Sequence, residues 1–270
     1  MMSDNFLIDE PIEGVKRITI NRPDATNAFQ FEMYTELADL FKQIKYDPRT
    51  RVVILTAAGN RHFCTGHDLK NPGKADWVPD DVGKPFYSRY TIDVIASLPV
   101  LMRNLPQPII CAVNGTVAGM ALAFPLAADI TLAAKSAKFV NAIHNAGSGA
   151  ELGISYLLPR AVGAQRAAEI LFTSRPVLAE EAERIGLVLR AVPDDELQEA
   201  CLEIARNIVV NVPMGIWVTK QSLWQNMNAG SLEQAIEFEG RGVYVAQSTE
   251  DKVEKQKAFF EKRPPKFSYK

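Results

Sequence analysis

Apolar positions along this chain repeat with two periods, and the regions where each prevails suggest the architecture. Strand-like apolar runs at 15–20, 51–56, 109–113, 130–133 and 188–192 alternate with helical patterns. Such alternation is expected of βαβ-type units in an α/β fold. A helix is expected over about 31–46, closed by Asp47-Pro48, because a residue before proline avoids the helical region. Another is expected over 86–104. The stretch 71–85, with Pro72, Pro79, Pro85, Gly73 and Gly83, reads as a long mobile loop of the length often used as a functional lid. From Asp195 the pattern is wholly helical, over about 196–210, 214–227, 232–247 and 251–261, with Pro193, Pro213, Gly230 and Ser231 as punctuation. The expected division is therefore a β/α core over 1–194 and a helical C-terminal lobe over 195–270.

The chain has 270 residues, of which 47% are apolar and 23% charged, enough for a sizeable core. A formal net charge of -2 argues against a general nucleic-acid surface. Cys64, Cys111 and Cys201 are odd in number, far apart and in apolar surroundings, so reduced thiols with packing roles are expected. Residues 1–10 are partly acidic and lack the apolar stretch of a secretion signal. No apolar run approaches membrane-spanning length. A cytoplasmic protein with no membrane partner is the expectation. No metal-ligand cluster or glycine-rich dinucleotide fingerprint follows a strand, so no metal, NAD or ATP is expected.

Two short segments carry most of the chemistry. Phe63-Cys-Thr-Gly-His-Asp-Leu-Lys70 follows a strand and a Gly59-Asn60 turn, which puts Gly66 where the backbone turns tightly. Cys111-Ala-Val-Asn-Gly-Thr-Val-Ala-Gly-Met-Ala121 runs from a strand through Asn114-Gly115 into an apolar helical stretch starting near Gly119. A helix start offers free N–H groups and the positive end of a dipole. Two such donors aimed at one carbonyl oxygen form an oxyanion hole, one of the largest contributions to acyl chemistry.

This pair of segments resembles the oxyanion-hole segments of the crotonase (enoyl-CoA hydratase/isomerase) superfamily. Further similarities lie at Ile20-Asn-Arg-Pro23 with Asn27-Ala28, Leu157-Leu-Pro-Arg160 with Val162-Gly163, Glu180-Glu-Ala182 with Gly186-Leu-Val188, and Ala258-Phe-Phe-Glu-Lys-Arg263. They run in order over nearly the whole chain. The resemblance implies a ββα spiral core with a C-terminal trimerisation lobe, in a homotrimer or dimer of trimers. It implies an acyl-CoA thioester as substrate, with coenzyme A entering only as part of that substrate. The oxyanion donors fall on the N–H groups of His67 and Met120. For CoA it implies backbone groups over Gly66, Asp68, Leu69 and Lys70, and a lysine matching Lys262 that often reaches the phosphates across subunits.

The chain departs from the family at the usual hydratase glutamates. By matching, these fall at Ala123 and Ile143, neither of which moves a proton. Glu151, in Ala146-Gly-Ser-Gly-Ala-Glu-Leu-Gly-Ile-Ser155, matches the acid of superfamily members that lack the dyad, including dienoyl-CoA isomerases. It also matches the nucleophilic aspartate of 4-chlorobenzoyl-CoA dehalogenases. Next to Gly149, Leu152 and Ile154 a glutamate faces apolar surface, which raises its pKa toward that of a useful acid/base. The competing reading is a charge stabilised at a helix start. His144 and Asn141 are candidates for orienting substrate, as is Tyr87; His144 and Asn141 equally suit hydrogen-bonded structural roles. Tyr90 and Trp77 could help line an acyl pocket, and packing is the alternative for all three aromatic residues. Asp68 is expected to cap a turn and His62 to be solvated. The expected function is an acyl-CoA enzyme of the enoyl-CoA hydratase/isomerase type with Glu151 as its single proton shuttle, isomerisation being the reaction one acid serves best. The alternatives are a dehalogenase- or hydrolase-like enzyme using Glu151, and a noncatalytic CoA-binding subunit.

Overall fold

Three consecutive strand–strand–helix passages organise the core of the computed structural model, which describes residues 4–270. The first runs through β3 (Val52–Ala57), β4 (His62–Cys64) and α2 (Lys84–Asn104), after β1 (Phe6–Ile12), β2 (Val15–Ile20) and α1 (Phe31–Lys45). The second is β5 (Ile109–Val113), β6 (Thr116–Ala118) and α3 (Ala123–Ala127); the third is β7 (Ile130–Ala134), β8 (Lys138–Val140) and α4 (Ile154–Val162). In each passage the first strand joins a six-stranded sheet, ordered β1-β2-β3-β5-β7-β10, with β10 at Arg190–Val192. The second strand joins a four-stranded sheet, β4-β6-β8-β9, closed by β9 (Val177–Leu178). Pairing from β2 to β10 is parallel and β1 is antiparallel. The chain thus steps repeatedly from the large sheet to the small one and back through a helix.

The β3 and β5 runs are apolar on both faces because both are covered, as is usual for parallel strands. One face of the large sheet meets the small sheet, α1 and α2 in a core that includes Phe29, Tyr34, Leu55, Phe63 and Phe124. α5 (Ala164–Thr173) and α6 (Ala179–Ile185) flank this core. Val15, Val52, Ile54, Ile110 and Leu132 on the other face pack against Leu197, Cys201 and Ala205 of α7 (Leu197–Val209). α7 thus covers the sheet, its apolar stripe burying the second face. The helices that stand off are α8 (Pro213–Asn226), α9 (Leu232–Gln247) and α10 (Glu250–Glu261). α8 is anchored by the buried Lys220 ammonium on Asp129, at 2.7 Å, and on the Met102 and Gln107 carbonyls. α9 buries none of its residues.

Other expectations shift locally. The strands of the small sheet, two or three residues each, have too few residues to show a period, so pairing rather than pattern creates them; β1 is long enough, but Asp9, Glu10 and Pro11 interrupt its apolar pattern. The run expected at 188–192 becomes a strand only at Arg190, because α6 ends in a left-handed turn at Gly186 (φ 83°). The helix expected near Gly119 begins as a 3₁₀ turn over Gly119–Leu122 before α3. The loop after Lys70 is tied to α1: Phe31 N–H donates to Pro72 C=O, and Glu32 accepts from Lys74 N–H. Among the described residues no single helix is long and apolar enough to cross a membrane. The first three positions of the 1–10 segment lie outside the described residues.

Candidate active site

The parallel register of β4 and β6 is what brings the two glycine-containing segments together. Cys64 pairs with Val117, so the residues that follow, 66–67 and 119–120, leave the small sheet side by side. Gly66 has φ 95°, a conformation that side chains rarely adopt. An added Cβ there would lie 3.2 Å from Ala118 O, 3.4 Å from Met120 Cγ and 3.6 Å from Met120 N. Phe29 holds the turn by donating its N–H to Gly66 C=O at 2.8 Å and accepting from Asp68 N–H at 2.9 Å. In this parallel bridge the N–H of His67 itself points away and finds no partner among the described residues. Met120 N–H lies in the first turn of a 3₁₀ helix, where intrahelical acceptors are missing, and it too has no partner among the described residues. Two unpaired donors therefore sit at one edge of the small sheet.

Beneath them lies Tyr34, a residue the sequence reading passed over. It is fully buried, on the apolar stripe of α1 with Phe31, Leu37, Ala38 and Phe41. Its hydroxyl donates to Met120 Sδ at 2.9 Å and lies 3.2 Å from His67 Nδ1. Burial, then the Cys64 thiol and the Glu151 carboxyl, push the phenol well above its ordinary pKa. Burial lowers the pKa of His67, opposed by Asp68 and the Phe29 carbonyl, so its imidazole is neutral at pH 7. The only sign of Tyr34 in the sequence was one hydroxyl on an otherwise apolar helix stripe.

Glu151 enters on the far side of β8, which follows β6 in the small sheet. Val140 pairs with Ala118, and the chain then passes through a 3₁₀ turn over Ala142–Ala146 and a glycine-rich loop. Glu151 is half-buried, its carboxylate has no hydrogen bond or ion pair among the described residues, and burial alone raises its pKa. The next residue, Leu152, is buried with φ 54°, a left-handed conformation costing about 1–2 kcal/mol for a side chain of this kind. Ala123 and Ile143 are buried in the core, and neither side chain can move a proton.

The remaining candidates separate. Phe31 lies tilted against His67 with ring centroids 4.5 Å apart, and Trp77 and Tyr87 meet Phe31 edge-on at 6.0 and 6.3 Å. Trp77 also donates to the Tyr90 carbonyl. An aromatic wall thus borders the His67 turn, with Tyr87 part-exposed. Asn141 is buried and donates to the Leu171 carbonyl at 2.8 Å, which ties β8 to α5, while its Oδ1 has no hydrogen-bond partner among the described residues. His144 is exposed and its Nδ1 lies 3.0 Å from Ser148 O, which pins the loop before Glu151. His62 is half-buried in β4 instead of solvated.

The Asp68 carboxylate is fully engaged within the chain. Arg22 reaches it at 3.2 Å, and it accepts from Lys70 N–H and Asn71 N–H at 3.2 and 2.9 Å. Burial alone would raise its pKa, but the Asn71 amide, Arg22 and the Lys70 amide hold it below the usual carboxylate value. This gives Arg22 and Asn27 of the opening motif a structural purpose. Asn27 bridges Ala58 and His62 carbonyls and accepts from Arg22 N–H, fastening the turn before Gly66. Leu69 and Lys70 are exposed at the rim. No hydrogen bond or ion pair joins the Lys262 side chain to this rim among the described residues. The tail after α10 stacks Phe267 on Arg51, at the start of β3, whereas the His67 turn follows the other end of that strand, roughly 20 Å away. Cys64 is buried with its thiol pushed up to about 12, and so is no nucleophile. An open cavity of about 880 Å³ lies elsewhere, bordered by Arg103, Asp129, Tyr156 and Trp224, and contains none of these candidates.

Residues 10–270 match the family described as enoyl-CoA hydratase/isomerase. A probable enoyl-CoA hydratase of Mycobacterium tuberculosis is 42% identical over 264 residues, 97% of this chain and 92% of that protein. The 1,2-epoxyphenylacetyl-CoA isomerase of Escherichia coli is 33% identical over 97% of this chain and 98% of that protein. The crystal structure of an enoyl-CoA hydratase from Bacillus anthracis superposes with a TM-score of 0.90 at 31% identity, over 98% of this chain and 100% of that one.

Proposed function

The chain belongs to the enoyl-CoA hydratase/isomerase family, and from that premise we propose that it shifts a double bond in an acyl-CoA thioester, with Glu151 as its single proton shuttle. The observation that supports this most is the pairing of two unpartnered backbone N–H groups with one unpaired, half-buried carboxylate, while Ala123 and Ile143 supply no second acid. The thioester oxygen accepts from His67 N–H and Met120 N–H. The Glu151 carboxylate takes a proton from carbon, the electron pair passes into the thioester carbonyl as an enolate, and the two donors stabilise the oxygen. The carboxylic acid then returns that proton to a different carbon, so the double bond moves and no water is consumed. A raised Glu151 pKa suits both halves of this cycle.

Backbone groups over 66–70 and the Lys70 ammonium hold the CoA end. The chain assembles as a trimer, in which a second copy covers the exposed Ile236, Val243, Tyr244 and Val245 of α9 and contributes Lys262 to the CoA phosphates. The core over 1–194 and the helices after it act as one unit in that assembly.

The test is a panel of enoyl-CoA, dienoyl-CoA and aryl-CoA esters followed by Glu151→Gln on whichever ester reacts. The variant is expected to lower kcat by about 10²–10⁴-fold with unchanged CoA affinity. Wild-type turnover in Glu151→Gln would overturn the mechanism. Light scattering that finds only a monomer at micromolar concentration would overturn the trimer.

A further inference from the structure

We propose that Tyr34 is a positioning residue that tethers the side chains of both oxyanion donors, holding His67 as its Nδ1–H tautomer and keeping the two N–H groups at fixed separation. The proposal rests on the functional reading above for its kinetic consequence, but not for its geometry. One hydroxyl hydrogen serves two neighbours, Met120 Sδ at 2.9 Å and His67 Nδ1 at 3.2 Å. The oxygen–sulfur separation is too short for bare van der Waals contact and requires the O–H to point at the thioether. The phenol oxygen then remains as acceptor, which favours an Nδ1–H donor, while the Phe29 carbonyl is a second acceptor beside the imidazole. In that tautomer Nε2 is left with the lone pair.

The tether matters because the side chains it joins are otherwise poor at fixing their own backbones. Methionine has three rotatable bonds and fills space without demanding one conformation. His67 is held on one face by Phe31, at 4.5 Å, and is half-exposed. The Tyr34 ring, by contrast, is fully buried and packed on Phe29 at 5.2 Å, and Phe29 is the residue whose backbone grips Gly66 and Asp68. The phenol therefore references both donor residues to the rigid stripe of α1. An oxyanion hole works through donors already in place, and a displacement of about 1 Å can cost on the order of 10² in rate.

The experiment compares wild type, Tyr34→Phe and Met120→Leu by ¹⁵N NMR of the imidazoles and by steady-state kinetics. Only three histidines need assignment. Wild-type His67 is expected as Nδ1–H. Tyr34→Phe, which keeps the ring packing, is expected to release that tautomer toward Nε2–H and lower kcat about 10–100-fold, with the acyl-CoA KM within about twofold. Met120→Leu removes the sulfur acceptor, so the Tyr34 O–H turns to Nδ1 and His67 becomes Nε2–H. An Nε2–H tautomer in wild type, an unchanged tautomer in both variants, or an unchanged kcat in Tyr34→Phe overturns the proposal. If no acyl-CoA ester reacts with wild type, the functional reading fails instead, and the tautomers still decide whether the tether exists.

Discussion

A methyl group on Gly66 would sit 3.6 Å from Met120 N and 3.2 Å from Ala118 O, so the two donor segments touch through a position where only hydrogen fits comfortably. Gly66→Ala is expected to push the segments apart and to strain a backbone at φ 95°. The strain amounts to about 1–2 kcal/mol, lowering the melting temperature by a few degrees. The kinetic loss is expected to be larger, at least about 10²-fold in kcat, because displaced donors no longer meet the thioester oxygen. Melting curves beside steady-state rates separate the two effects, and equal, small losses in both would speak against the donor role.

Glu151→Gln is also expected to change stability, in a direction set by linkage. The folded-state pKa of Glu151 lies above its usual 4.5 because burial disfavours the charged form. The folded state therefore holds the proton more tightly than the unfolded state, and the wild type loses stability as pH rises through that window. Below about pH 4 both states are protonated and glutamine gains nothing. The variant should thus melt higher than wild type at pH 7 and together with it at pH 4. A constant difference across that range would show that the carboxylate is not titrating as burial predicts.

The Arg22–Asp68 contact predicts the opposite dependence. Asp68 is held below its usual 3.8, so its contribution is fully present above that value and is lost as pH falls through the lower folded pKa. Arg22→Gln should cost about 1 kcal/mol at pH 7 and progressively less below pH 4. Denaturant melts at several pH values would measure it. The variant should also loosen the Lys70 and Asn71 turn and so weaken CoA affinity.

All three cysteines are buried, and Cys64 and Cys201 are pushed up to about 12 by burial. Native protein at pH 8 should therefore resist thiol reagents, while the unfolded chain reacts fully. Rapid labelling of Cys64 in the native state would mean that the His67 turn opens readily.

Period and punctuation in the sequence determined the strands at Val15–Ile20 and Ile109–Val113 and the helix at Phe31–Lys45, because burial on both faces or along one stripe leaves a local signature. The glycine turn at Gly66 was legible because only glycine accepts such a φ readily, and the helix start near Gly119 because an apolar run follows it. So was the family, whose motifs in order reflect local demands such as the Asn27 and Arg22 fastenings. Tertiary structure alone decided the rest. Strands of two or three residues exist only where neighbours pair with them, so the small sheet left no period of its own. Its register nevertheless sets Gly66 beside Met120. The reach of Tyr34 to His67 and Met120 depends on how α1 lies across that sheet, a relation spanning 33 and 86 positions that no local pattern encodes. α7 likewise reads as one more helix in a helical tail, and only the uncovered face of the large sheet made it part of the core.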